Sequence, residues 1–205
     1  AAHDWVLVSG DLSWAMTLEE ALPDLAFLHS LPGRKVLGKG NHCHWWTSRA
    51  KVEAVLPPSI VLLQNDAVAL GGGPVVAGTR GWALPGAPHA PEGSERLLAR
   101  EAERLKLSLA AAARLEPKPL LVMTHYPPID PRGAQGPLAA LIEAAGAEVC
   151  IYGHLHGPDH RSGFQGVRGG VRYLLTSADA LGFAPLLLLD TAEGPEARLE
   201  TGDDA

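Results

Sequence analysis

Val149-Cys150-Ile151-Tyr152-Gly153-His154-Leu155-His156 is the stretch from which the fold can be read. Four apolar, largely β-favouring residues predict a strand buried on both faces, and Gly153 ends it. The residues after Gly153 are able to bind a metal: two imidazoles stand two positions apart. Working outward, the same layout recurs three times. Leu120-Leu121-Val122-Met123 runs into Thr124-His125, Lys35-Val36-Leu37-Gly38 runs into Gly40-Asn41-His42, and Trp5-Val6-Leu7-Val8 runs into Ser9-Gly10-Asp11. In open α/β sheets ligands gather beyond the carboxyl ends of strands. Four predicted strands that all end in metal-competent side chains therefore point to one common site. The plain alternative is that each residue only caps a turn at its strand end.

The segments between these strands read as helices and loops. Thr17 with Glu20 is a capping-box signature for a helix running towards Leu31, with Pro23 inside it as a kink or restart. Thr47 is expected to cap a helix that stops at Pro57-Pro58. Ser94 is expected to open the longest helix, with Leu98, Ala102, Leu105, Leu109 and Ala112 on one apolar face and Pro117 at its end. A short helix is predicted near 136–145. Ile60–Leu63, Ala67–Leu70 and Val75–Gly78 are spaced like antiparallel strands, residues 81–93 like a long Pro/Gly loop, and Val171–Leu199 like three strands.

The 205 residues are 46% hydrophobic and 20% charged, which excludes a disordered or collagen-like chain. No repeat or linker divides them, so one domain over 1–205 is expected. No apolar run reaches the ~18 residues of a membrane helix, so no membrane partner is expected. A net charge of −6 without a Lys/Arg run argues against nucleic acid. AAHDWVLV has no leader-like layout and two cysteines make no disulfide framework, so the cytoplasm is the expected compartment.

The donor set is a carboxylate (Asp11), an amide oxygen (Asn41) and imidazoles (His125, His154, His156). Mixed nitrogen and oxygen ligands suit Mn, Fe, Zn, Co or Ni, one or two ions per chain, rather than a thiolate zinc site. A pair of such ions can clamp a phosphoryl group and acidify a water. His42, beside a ligand, is then the candidate catalytic acid. Trp45 and Trp46 are expected in the core, Cys150 as a packed small side chain, His29 as structural and His89 as a solvated loop residue.

The ordered blocks Gly10-Asp11, Gly40-Asn41-His42, His125 and Gly153-His154-Leu155-His156 resemble those of the calcineurin-like metallophosphoesterase superfamily. GDLSWAMTLEEALPDL, GKGNHCHWW, LLQNDAVALGGG, GTRGW, THYPP and IYGHLHG are similar to a bacterial and archaeal branch of predicted phosphohydrolases within it. The resemblance implies an α/β fold, a four-layer α/β/β/α sandwich of two mixed sheets. It also implies two metals and hydrolysis of a small phosphate ester by a metal-bound hydroxide. Residue by residue, it implies that Asp11 bridges the metals, that Asn41, His125 and His154 complete the second site, that His156 belongs to the first, and that His42 is the acid.

Two departures stand out. The family's opening strand with its Asp-any-His block has no counterpart, because His3-Asp4 precedes its strand instead of coming after it. The fold is therefore expected in an N-terminally truncated form with an uncovered sheet edge, where a second copy would pair to make a homodimer. Water, then His160 or Asp159, then Cys43 are the expected replacements at the first metal, with His44 a candidate substrate contact. The second departure is Cys43, which stands where the family usually places an acid that orients the histidine. The fewer fixed ligands favour diesters or triesters over monoesters. The competing expectation is a non-catalytic binding module of the same fold with a degenerate metal site.

Overall fold

The computed structural model describes residues 4–71, 73–87, 90–116 and 119–190. Two sheets form. The small one takes β1 (Trp5–Val8), β2 (Arg34–Leu37) and β3 (Ile60–Leu62) in that order, all parallel. The large one is mixed. β4 (Ala67–Ala69) lies antiparallel to β5 (Val75–Thr79), and β6 (Leu120–Thr124), β7 (Val149–Tyr152) and β9 (Val171–Leu175) continue parallel to β5. β8 (Gly166–Arg168) closes the far edge antiparallel to β9. The two-sheet sandwich is the expected one, and its mixed character resides in the larger sheet.

Alternation along the strands explains the layers. Leu121 and Met123 of β6, Val76 of β5 and Val149 and Ile151 of β7 face Leu7 and Val36, which makes a core between the sheets. Leu120, Val122, Cys150 and Tyr152 point the other way, against α3 (Ser94–Ala113) and α4 (Pro137–Ala144). Leu37, Ile60 and Leu62 cover the outer face of the small sheet with α1 (Leu18–Ser30), Trp45 and Trp46. Four layers therefore enclose three cores. Trp45, Trp46 and Cys150 lie in those cores, as expected.

Several local readings are corrected. Ile60–Leu62 is not antiparallel to its successor, because it pairs parallel with β2, and the chain then crosses to the other sheet before β4. Ser48, not Thr47, caps α2 (Arg49–Glu53). Pro23 sits inside α1 without restarting it, because the Thr17–Glu20 capping box already fixes the start. Ser94 opens α3 as expected, with Gly93 before it as the N-cap, and the helix ends at Ala113. After β9 the described residues to Asp190 form turns and no further strand; the rest of the predicted tail strands, Pro117 and His89 lie outside the described residues. Among the described residues no helix is long and apolar enough to cross a membrane.

Candidate functional site

Parallel pairing of β1 with β2 and of β6 with β7 brings four carboxyl ends to one edge of the sandwich, two from each sheet. The turns beyond them deliver Asp11, Asn41, His125 and His154 to one point. His125 Nε2 lies 2.7 Å from Asn41 Oδ1, 3.2 Å from Asp11 Oδ2 and 3.3 Å from His154 Nδ1, and His154 Nδ1 lies 2.9 Å from Asn41 Oδ1. Asp11 and His154 both adopt positive φ, 53° and 71°, a conformation uncommon for non-glycine residues and frequent where side chains must be aimed at a site. Gly10 and Gly40 make room. A Cβ at Gly10 would stand 2.7 Å from His125 Nδ1, and one at Gly40 would stand 2.0 Å from Asp11 Oδ1.

Hydrogen bonds orient the donors. His125 Nδ1 is 2.9 Å from the Ser9 carbonyl, which can only accept, so this nitrogen carries the proton and Nε2 offers its lone pair to the cluster. The His42 amide donates to Asp11 Oδ1 over 2.8 Å. Burial raises the Asp11 carboxyl, but the adjoining His125 and the His42 amide outweigh it, so its pKa is lowered. Burial and the neighbouring His125 push His154 down to about 4, which leaves it neutral and able to ligate at pH 7.

A divalent cation at their centre would separate Asp11 Oδ2, Asn41 Oδ1, His125 Nε2 and His154 Nδ1 without any bridging proton. Cation–donor bonds of ~2.0–2.2 Å hold adjacent ligand atoms roughly 3 Å apart, which is the spacing seen here. These donors suit a divalent cation. Among the described residues no three His, Cys, Asp or Glu by themselves form a metal-holding group; Asn41 Oδ1 is a further donor, 2.7 Å from His125 Nε2.

The other candidates are placed differently. His156 is on the adjacent turn, with Nδ1 2.9 Å from Asp179 Oδ1 and a side chain 61% exposed. No hydrogen bond joins it to the four donors, although its charge is felt by His154. His160 Nε2 is 3.0 Å from Asp179 Oδ2. The Asp159 side chain is exposed on the 3-10 turn Gly157–Ser162, away from the cluster's hydrogen bonds. Cys43 is buried, which raises its pKa and keeps it a thiol; its Sγ accepts from the Gly40 amide and lies 3.8 Å from Asp11 Oδ1, so it stabilises the loop and does not hold His42. His44 is exposed, edge-on to His42 at 6.2 Å.

Three residues were not foreseen. Tyr126 packs its ring 4.0 Å from that of His154. Trp14 stacks on His42, centroids 4.3 Å apart and planes 14° apart. Asp179 binds His156, His160 and the Gly157 amide, which donates to Oδ2 over 2.8 Å. Asp179 comes after a strand parallel to β7, so its position is legible once that pairing is known. That backbone bond and the two imidazoles hold its carboxyl well below the usual range. The contribution to stability is thus present above the ordinary carboxylate pKa and is lost only as pH falls below it. Asp179→Asn is expected to free the turn, read as faster hydrogen exchange at the Gly157 amide with exchange in β6 unchanged; equal protection in both proteins would refute the hold.

Residues 1–158 match the calcineurin-like phosphoesterase family. No curated protein is significantly similar in sequence. Among solved structures, TT1561 of Thermus thermophilus is 18% identical with a TM-score of 0.55, over 85% of this chain and 76% of its own. Sulfate thiohydrolase SoxB of Thermus thermophilus, in complex with glycerol, is 15% identical with a TM-score of 0.43, over 84% of this chain and 33% of its own. Another crystal structure is 17% identical with a TM-score of 0.50, over 77% of this chain, which spans only 62% of it. The last of the four sequence blocks ends just inside the matched range, and the fold likeness extends over most of the chain; this protein belongs to the calcineurin-like phosphoesterase family.

Proposed function

We propose that the chain hydrolyses phosphate esters with divalent cations bound at Asp11, Asn41, His125 and His154, and with His156 serving an adjacent first site. The observation that carries this reading is the convergence of a carboxylate, an amide oxygen and a second imidazole nitrogen, each within 3.3 Å of His125 Nε2. Members of the family are in general hydrolytic and use divalent metals. Such cations supply Lewis acidity and acidify a bound water.

The chain's own residues do the rest. Ser9 fixes the His125 tautomer, and the His42 amide anchors the charge of Asp11. With the His42 amide bound to that carboxylate, the His42 imidazole is the group that donates a proton to the leaving oxygen. Diesters or triesters are favoured over monoesters. Fewer fixed ligands at the first site leave it more open, which suits the bulkier diester or triester. Mn, Fe, Zn, Co or Ni each suits this donor set.

Purified protein supplied with manganese is expected to turn over nitrophenyl diesters or triesters faster than the monoester and to hold one or two ions by elemental analysis. No bound metal together with no turnover of any ester would instead indicate a binding module. β1 is an edge strand among the described residues, with Val6 37% exposed. We propose that a second copy pairs there, which predicts a dimer mass by light scattering; a monomer at tens of micromolar would exclude it.

A further inference from the structure

Trp14 is 71% exposed, an unusual position for an indole, yet its backbone is fixed on both sides. The Ser13 carbonyl accepts from Trp45 Nε1 at 3.2 Å, the Ala15 amide donates to Ser13 Oγ at 3.2 Å, and the Met16 amide donates to Glu20. This loop leaves Asp11 and presents one face of the Trp14 ring flat against His42. The other face is open to solvent. Cys43, the residue expected to hold His42, points instead at the Gly40 amide and Asp11. The described contacts of the His42 ring are with Trp14 on one side and with the edge of His44.

We infer that Trp14 positions His42 with one face and receives with its other face a planar aromatic ring carried by the leaving alcohol, so that the preferred esters are those of ring-bearing alcohols. This inference rests on the phosphoesterase reading and narrows its substrate class. A proton donor must sit within hydrogen-bond reach of the leaving oxygen. The alcohol part of the ester therefore lies beside His42, and the surface it meets there is the indole. Stacking on an indole tolerates many rings because each has a π face, and it discriminates sharply against a methyl group.

The test pairs two non-hydrolysable dianions that differ only in the ring, phenylphosphonate and methylphosphonate, titrated calorimetrically into the manganese-loaded protein. Phenylphosphonate is expected to bind about tenfold tighter, which is ~1.4 kcal/mol. In Trp14→Ala that ratio is expected to fall near one with methylphosphonate affinity unchanged, and in Trp14→Phe most of it returns. Trp14→Ala also lowers kcat for nitrophenyl diesters, and Trp14→Phe restores it. Trp14 is exposed, so truncation leaves no core cavity, and an unchanged melting temperature verifies the fold.

A ratio near one in the wild type, or a ratio that survives in Trp14→Ala, overturns the inference while leaving phosphonate binding and ester turnover, and hence the hydrolase reading, intact. Absence of binding by either phosphonate together with absence of turnover overturns both.

Discussion

Asp11→Asn is expected to abolish metal-dependent hydrolysis, lowering kcat at least ~10³-fold, beyond the ~10²–10³ typical of losing one transition-state hydrogen-bond donor. The substitution is chosen because asparagine tolerates the left-handed backbone that Asp11 adopts and preserves its shape. It removes only the charge. The carboxylate is the sole anion among the four donors and accepts the His42 amide, so its loss reaches both the cation and the backbone of the candidate acid. A thermal readout separates a lost ion from a lost fold. At 100 times Kd a bound cation stabilises by ~2.7 kcal/mol, and each kcal/mol is about 2–4 °C for a domain of this size. Manganese should therefore raise the wild-type melting temperature by roughly 5–11 °C. The variant should melt near the wild-type apo temperature and show no rise. A normal manganese-induced rise in Asp11→Asn would refute the assigned role of Asp11.

Gly40→Ala is the second large effect. Its Cβ would stand 2.0 Å from Asp11 Oδ1, 2.5 Å from Asp11 Cγ and 2.7 Å from the Asp11 amide. Two of these atoms belong to a side chain held by His42 and His125, and the third is backbone, so none yields cheaply. The turn before Asn41 must open. A cost of ~1–3 kcal/mol is expected for overpacking of this kind. The larger effect falls on the site, because a displacement of ~1 Å in a catalytic arrangement can cost about 10²-fold. The expected result is a folded protein with weakened metal affinity and kcat down about a hundredfold. Wild-type activity in Gly40→Ala would mean that the Asp11–Asn41 approach is not the working geometry.

The strands and the shared edge are legible in the sequence because their signals are local. Four short apolar runs each end in a glycine or polar turn, and hydrophobic alternation assigns each run to a layer. Asp11, Asn41, His125 and His154 are legible for the same reason. The features that escape the sequence are set by tertiary pairing. Ile60–Leu62 looks like its antiparallel neighbours, and nothing local says that it joins β2 in the other sheet. Asp179 meets His156 across 23 residues, which depends on β9 lying parallel to β7. Trp14 resembles any core indole until the loop from Ser13 to Met16 turns it outward. Cys43 does not take over the orienting role of an acid for a chemical reason: a buried thiol finds a backbone amide, and the imidazole is left to an aromatic neighbour.

The four donors are split evenly between the sheets, Asp11 and Asn41 hanging from one and His125 and His154 from the other. Those halves are joined at the site by the hydrogen bond from His125 Nδ1 to the Ser9 carbonyl and beneath it by apolar side chains sandwiched between the sheets. An ion gripped from both sides is thus a rivet through a joint of packed side chains. Trimming Met123, whose methyl lies beneath Gly38 deep in that joint, would let the plates slip and loosen the rivet without touching it.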